Sequence, residues 1–203
     1  EFLEILFNLH NSNVSRTIRH ISPLLARIFH IPERKVKLTD NEIETMKYLF
    51  IDGTEQPIQR PKNRKKQKEY YSGKKKRHTV KVQVATRDGK MIDAVSRSHN
   101  GRKHDKKMYD ETRLIKPPGI KGVGDTGYEG TTLIRPVKRK KGKKLTKAQK
   151  KYNHKISSIR IKAEHAIAKM KKYRITKDIF RNPLSSHNLY IKNVVGLVNF
   201  AQQ

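Results

Sequence analysis

Ser157-Ser158-Ile159-Arg160-Ile161-Lys162-Ala163-Glu164-His165-Ala166-Ile167-Ala168-Lys169-Met170-Lys171 is the stretch on which the fold turns. Ile156, Ile159, Ala163, Ile167 and Met170 recur at three- and four-residue steps, which puts them on one face of a helix. At about 100° per residue, Arg160, Glu164 and Lys171 fall within roughly 40° of one another, beside the apolar face and not opposite it. A lone acid at that rim, in so basic a helix, has two readings. It is the surface partner of Arg160, four residues away, or it looks into a cleft. Arg preceding Glu is the weaker orientation for a helical pair.

The chain has 203 residues, enough for one large or two small domains. Lys and Arg number 48 against 18 Asp and Glu, a formal net charge of +30. Such self-repulsion calls for a polyanion, so nucleic acid or an anionic surface is the expected partner. No cysteine is present, which excludes disulfides and Cys-based zinc sites. No run approaches the roughly 18–20 apolar residues of a membrane span, and no signal peptide is visible. The chain opens at Glu1 without Met, already in a helical pattern, and reads as an amino-terminal truncation.

Phe2, Ile5, Leu6 and Leu9 mark a first short helix, and Asn11-Ser12-Asn13 a turn and cap. Val14, Ile18, Ile21, Leu25 and Ile28 mark a second helix, with Pro23 expected to break or kink it. With Ser15, Arg16, Arg19 and His20 at the start of that helix, residues 1–46 read equally as a partial helix-turn-helix or as a plain helical hairpin. Thr39-Asp40-Asn41-Glu42 has capping-box spacing.

Tyr48-Leu49-Phe50-Ile51 predicts a strand buried on both faces, ending at Asp52. Residues 60–77 form a basic block, read as a solvated loop able to lie along phosphates. Val80, Val82 and Val84 alternate with Lys81 and Gln83, and Asp88-Gly89 joins this strand to a second at 91–96 as a hairpin. A helix follows over 104–114, stopped by Pro117-Pro118, with His104-Asp105 read as its amino-terminal cap region in preference to a ligand pair. Ile120 to Val123 is a second apolar run ending near an acid, Asp125, set among glycines. Leu133-Ile134-Arg135-Pro136-Val137 predicts an edge strand, and residues 138–144 a second basic loop. The opening helix is expected from Thr146 to about Tyr173, broken near Asn153, and a last helix runs from His187 to Phe200.

Two acids at strand ends and one on a helix suit hard divalent cations, which take oxygen ligands and share them with substrate phosphate. Two such ions serve phosphodiester transfer. At these residues the chain resembles the DDE transposases of bacterial insertion sequences and the related DDE superfamily endonucleases, harbinger-like proteins among them. The matching motifs are Phe50-Ile51-Asp52-Gly53-Thr54-Glu55, Gly124-Asp125-Thr126-Gly127-Tyr128-Glu129-Gly130, and Arg160-x-x-x-Glu164 followed by Lys171. Gly73 to Lys81 and His104-Asp105 also match, and the likeness covers about residues 45–200. The family often has Tyr three residues before the Arg, where this chain has Ser157.

The resemblance implies an α/β, ribonuclease H-like mixed sheet flanked by helices, with residues 47–203 as the catalytic domain. It implies that Asp52, Asp125 and Glu164 are catalytic and bind two Mg²⁺ or Mn²⁺ ions. It implies cleavage at element ends and transfer of the freed 3′ hydroxyl to target DNA. Arg160, Lys171, Lys74, Lys75, Lys76, Arg77, Lys138, Arg139, Lys140 and Lys141 are the expected contacts to double-stranded DNA. A homodimer in the DNA complex, no membrane and a DNA-associated place in the bacterial cytoplasm complete the expectation. The competing reading is a decayed or domesticated transposase that binds DNA without cutting it. A basic RNA- or ribosome-binding protein would share the charge but leaves the three acids unexplained.

Overall fold

The computed structural model describes residues 2–202. In chain order it contains α1 (Phe2–Phe7), α2 (Asn11–Phe29), α3 (Asp40–Thr45), β1 (Tyr48–Pro57), α4 (Arg64–Tyr70), β2 (Tyr71–Ser72) and β3 (Arg77–Thr86). Then come β4 (Ala94–Val95), β5 (His99–Asn100), α5 (Asp105–Thr112), β6 (Lys121–Val123), α6 (Lys147–Met170), α7 (Arg174–Lys177) and α8 (His187–Phe200). The fold is α/β, a mixed sheet between helices, as the ribonuclease H-like expectation requires. Strands run in the order β2-β3-β1-β6, with β4 and β5 also paired to β3. β1 and β3 are antiparallel, and β1 and β6 are parallel. No described helix is long and apolar enough to cross a membrane.

Both faces of the sheet are covered. On one, Val82, Val84 and Val95 meet Ala166 and Met170 of α6 and Ile191, Val194, Val195 and Val198 of α8. On the other, Leu49, Ile51, Ala85 and Ala94 pack with Tyr128 and Leu133, flanked by Tyr109 of α5. This two-sided cover buries Lys81 and Gln83 of β3 along with the valines between them. Lys81 Nζ donates to the Lys103 carbonyl at 3.0 Å and Gln83 Nε2 donates to Tyr128 Oη at 3.0 Å, while Gln83 Oε1 is buried without a hydrogen-bond partner.

Several local expectations change. Asp52 does not end its strand, since β1 continues to Pro57 against β3. The 87–93 connection is wider than a two-residue Asp-Gly turn, because the Arg87 backbone N–H and guanidinium close it onto the Asp93 carboxylate. Residues 64–70 of the basic block are helical, started by Asn63, whose side chain accepts from Lys66 N. Residues 133–137 make only one bridge, Ile134 to Val123, and no strand. Asn11-Ser12-Asn13 lies inside α2; His10 caps that helix, and the turn before it carries Asn8 in the left-handed region. Pro23 neither ends α2 nor opens it, for the helix continues to Phe29.

α6 is unbroken from its Thr146–Gln149 capping box to Met170. Asn153 does not interrupt it but reaches sideways. Its amide accepts from Val137 N at 2.7 Å and donates to Val137 O at 3.0 Å, tying the second basic loop to the helix.

α2 lies along α8 at Gly196, where a Cβ would meet the Phe29 ring at 2.1 Å. Nearby, Asn193 Nδ2 donates to the Ser22 carbonyl at 3.0 Å. His187 at the start of α8 is buried between β1 and the 98 loop. Gln56 Nε2 donates to the Ile175 and Asp178 carbonyls, so Gln56 Oε1 accepts from His187 Nε2–H at 2.9 Å. His187 Nδ1 then accepts from the Ser98 hydroxyl at 2.7 Å.

Two outcomes are expected. Gly196→Ala should overpack the α2–α8 contact and destabilise by about 1–3 kcal/mol, read as a fall in Tm of roughly 3–10 °C. An unchanged Tm would mean that Phe29 yields freely. Burial pushes the His187 pKa down to about 4, below its unfolded value near 6.5. Its contribution is therefore complete above pH 6.5 and is lost as the pH falls toward 4. Between pH 7 and 4.5 the wild type should lose about 2 kcal/mol more unfolding free energy than His187→Gln, measured by urea titration. Equal pH slopes would contradict a buried neutral imidazole.

Candidate active site

Strand register assembles the acids. Phe50 of β1 pairs in parallel with Val123 of β6, and the same register carried on two residues brings Asp125 beside Asp52. β6 stops at Val123, so Asp125 leaves the ladder and caps a 3₁₀ turn over Thr126–Tyr128. Its Oδ1 accepts from Gly127 N–H at 2.8 Å. Asp52 remains inside β1, and its Oδ1 accepts from Gly53 N–H at 2.8 Å. Alternation along the strand puts Asp52 on the face of Phe50, which packs with Ile156 and Ala163 of α6. The next turns of α6 therefore stand over Asp52. Arg160 Nη2 lies 3.8 Å from Asp52 Oδ2 and 4.0 Å from Glu164 Oε1.

The structure shows Glu164 in the first of its two readings, as the exposed partner of Arg160, and it is the arginine that faces Asp52. Glu164 itself is 61% exposed, while the Arg160 side chain is 16% exposed. Arg160 Nε is buried with no hydrogen-bond partner, an uncommon and costly state for a guanidinium.

Burial pushes the Asp52 carboxyl up to about 6, against the Gly53 N–H and Arg160, and the like charges of Asp125 and Asp105 add to the rise. Tyr128 closes the floor. Its ring is fully buried, its hydroxyl accepts from Gln83, and burial next to Asp52, Asp105 and Asp125 holds the phenol well above its usual pKa.

Asp105 is a member whose local pattern reads as a helix start, although the family resemblance includes it. As the first residue of α5 it looked like part of a helix start, and His104 does occupy the cap position. Its carboxylate, however, turns inward. A Cβ on Gly53 would lie 3.2 Å from Asp105 Oδ1, and one on Gly127 would lie 2.9 Å from both Asp105 Oδ2 and Asp125 Oδ1. Glycine at these two places is what lets the acids crowd together. Lys81, running under the site from β3, stands 3.6 Å from Asp105 Oδ1 and 3.3 Å from Glu55 Oε1. The burial of β3 on both faces is what brings this lysine to the acids.

The remaining candidates fall into two groups. Lys171 ends α6 half-buried, donating to the Glu55 carbonyl at 3.3 Å, and burial followed by the nearby Lys75 lowers its pKa. Lys74, Lys75, Lys76 and Arg77 are exposed on the turn from β2 to β3. Lys138, Arg139, Lys140 and Lys141 are exposed on the loop that Asn153 anchors, where they line an open cleft with Arg135 and Tyr152. That cleft also includes Thr126, the neighbour of Asp125.

The donor set around Asp52 is made of carboxylates, the ligand chemistry of a hard divalent cation. The raised Asp52 pKa comes first from burial, with the neighbouring Asp125 and Asp105 charges adding to it. Among the described residues no three acidic or histidine side chains already stand close enough to hold one ion.

Comparison with known proteins places the chain in a family. The family profile described as DDE superfamily endonuclease matches residues 51–199. A protein of Microchaete diplosiphon, named as a transposase for insertion sequence element IS702, is 33% identical over 202 residues, 96% of this chain and 71% of its own length. One of Streptomyces albus G, named as a transposase for insertion sequence element IS112, is 29% identical over 176 residues, 85% of this chain and 62% of its own. No solved structure matches. With the profile spanning Asp52, Asp125 and the helix that carries Glu164, the chain belongs to the DDE superfamily endonucleases.

Proposed function

We propose that the protein is a transposase that cuts DNA at the ends of a mobile element and transfers the freed 3′ hydroxyl to target DNA. In this reading Asp52, Asp125 and Glu164 hold two Mg²⁺ or Mn²⁺ ions. The observation that carries it is the β1–β6 register, which sets Asp52 beside Asp125 under an α6 that presents Arg160 and Glu164. The names of the two relatives point to the same activity.

Divalent ions bound to these carboxylates supply activation of an attacking hydroxyl and stabilisation of the leaving oxygen. The chain's own groups do the rest. Asp52 and Asp125 fix the ligand oxygens through backbone N–H bonds that hold their rotamers. A phosphate oxygen drawn to the Arg160 guanidinium in place of the Glu164 carboxylate would free Glu164 to turn inward. Lys74 to Arg77 and Lys138 to Lys141 neutralise the DNA backbone on either side. The place of action that follows is the cell interior, on DNA.

Asp52→Ala should reduce Mg²⁺-dependent nicking of a DNA duplex by roughly 10³-fold or more while DNA affinity persists. Undiminished nicking by that variant would remove the metal assignment. DNA affinity should fall steeply with salt, through counterion release. Replacing Lys138, Arg139, Lys140 and Lys141 together by Ala should reduce the slope of log K against log[salt] by about 3–4, at near 0.9 per phosphate contact. An unchanged slope would take that loop off the DNA.

A further inference from the structure

A second recess adjoins the acids and is absent from the mechanism above. It lies between α4, the turn from β2 to β3 and the loop entering α5, with a volume of about 730 Å³. Arg60, Lys68, Tyr71, His78, Arg102 and His104 line it, and no acidic side chain does. Tyr71 and His78 face each other across the β2–β3 ladder. Their rings are 5.6 Å apart at 73°, forming a corner of two nearly perpendicular π surfaces. Tyr71 is 43% exposed, so the corner is open. The His104 side chain makes no capping bond to α5, and the one hydrogen bond of the Arg60 side chain goes to the neutral amide of Gln67.

Aromatic surface beside unopposed cations is the chemistry of single-stranded nucleic acid: a base stacks on the ring and its phosphate pairs with Arg or Lys. The volume falls within the range of small-ligand sites, which suits one nucleotide. The recess is also placed to matter. His104 precedes Asp105, and the Asp105 carboxylate packs against Gly53, the residue after Asp52.

We propose that this recess holds one nucleotide displaced from the duplex next to the cleavage position. Its base lies on Tyr71, and its phosphate lies between Arg102 and Lys68. The proposal rests on DNA being the substrate of the Asp52 site. A strand unstacked at that point would be held away from its partner, which fixes the direction from which the reactive phosphodiester enters.

The test uses the full chain in EDTA, so that nothing is cut. Affinities are measured for a blunt duplex and for the same duplex with a short single-stranded flap containing 2-aminopurine. The expected result is at least tenfold tighter binding of the flapped duplex, with quenching of the 2-aminopurine fluorescence. In Tyr71→Ala and in Arg102→Ala the flap-to-blunt affinity ratio should collapse to near one, and Tyr71→Phe should restore it, because the phenyl ring still stacks. Equal affinity of the wild type for both DNAs, or a ratio that survives both alanine variants, overturns the proposal while leaving the transposase reading intact. Failure of the wild type to bind either DNA would overturn both.

Discussion

The parallel pairing of β1 with β6 is the constraint on which the rest depends. It is short, running from Tyr48–Lys121 to Phe50–Val123, and it stops just before the two aspartates. Backbone hydrogen bonds thereby fix two carboxylates side by side that electrostatics alone would drive apart. Buried apolar surface on both sides of the sheet holds this arrangement: α6 and α8 on one face, Tyr128, Leu133 and α5 on the other. The strain between packing and charge is visible in Asp52, whose carboxyl is pushed up to about 6.

Charge balance explains the surrounding choices. Arg160 is drawn in between Asp52 and Glu164, and Lys81 is buried between Asp105 and Glu55. Arg160 is held by α6 and Lys81 by the buried strand β3. The other cations stand on exposed turns and loops, where they repel one another without a polyanion. The protein thus separates a small, rigid, acid-rich centre from a large basic periphery, which is the division of labour that cutting DNA needs.

Periodicity revealed the helices that carry the site. The Ile156-to-Met170 face, the Thr39 capping box and the buried face of α8 are all set by local pattern, and each stands as read. The two aspartates were legible because apolar runs led into them. What was hidden depended on tertiary cover. Lys81 and Gln83 alternate with valines as solvent-facing residues would, but a second helical layer buries them. Asp105 resembles any acid at a helix start until the glycines at 53 and 127 bring the strand ends against it. Asn153 looked like a helix breaker, and its role as a clamp needed the 137 loop to be in place.

The central claim is that Asp52, Asp125 and Glu164 close around divalent ions. The most direct measurement is anomalous diffraction from crystals of the protein with a DNA duplex and Mn²⁺. The account predicts manganese peaks within direct ligand distance of the Asp52 and Asp125 carboxylates, with Glu164 turned inward from Arg160. Peaks elsewhere, or an Arg160 still seated between Asp52 and Glu164 with no manganese beside them, would contradict it.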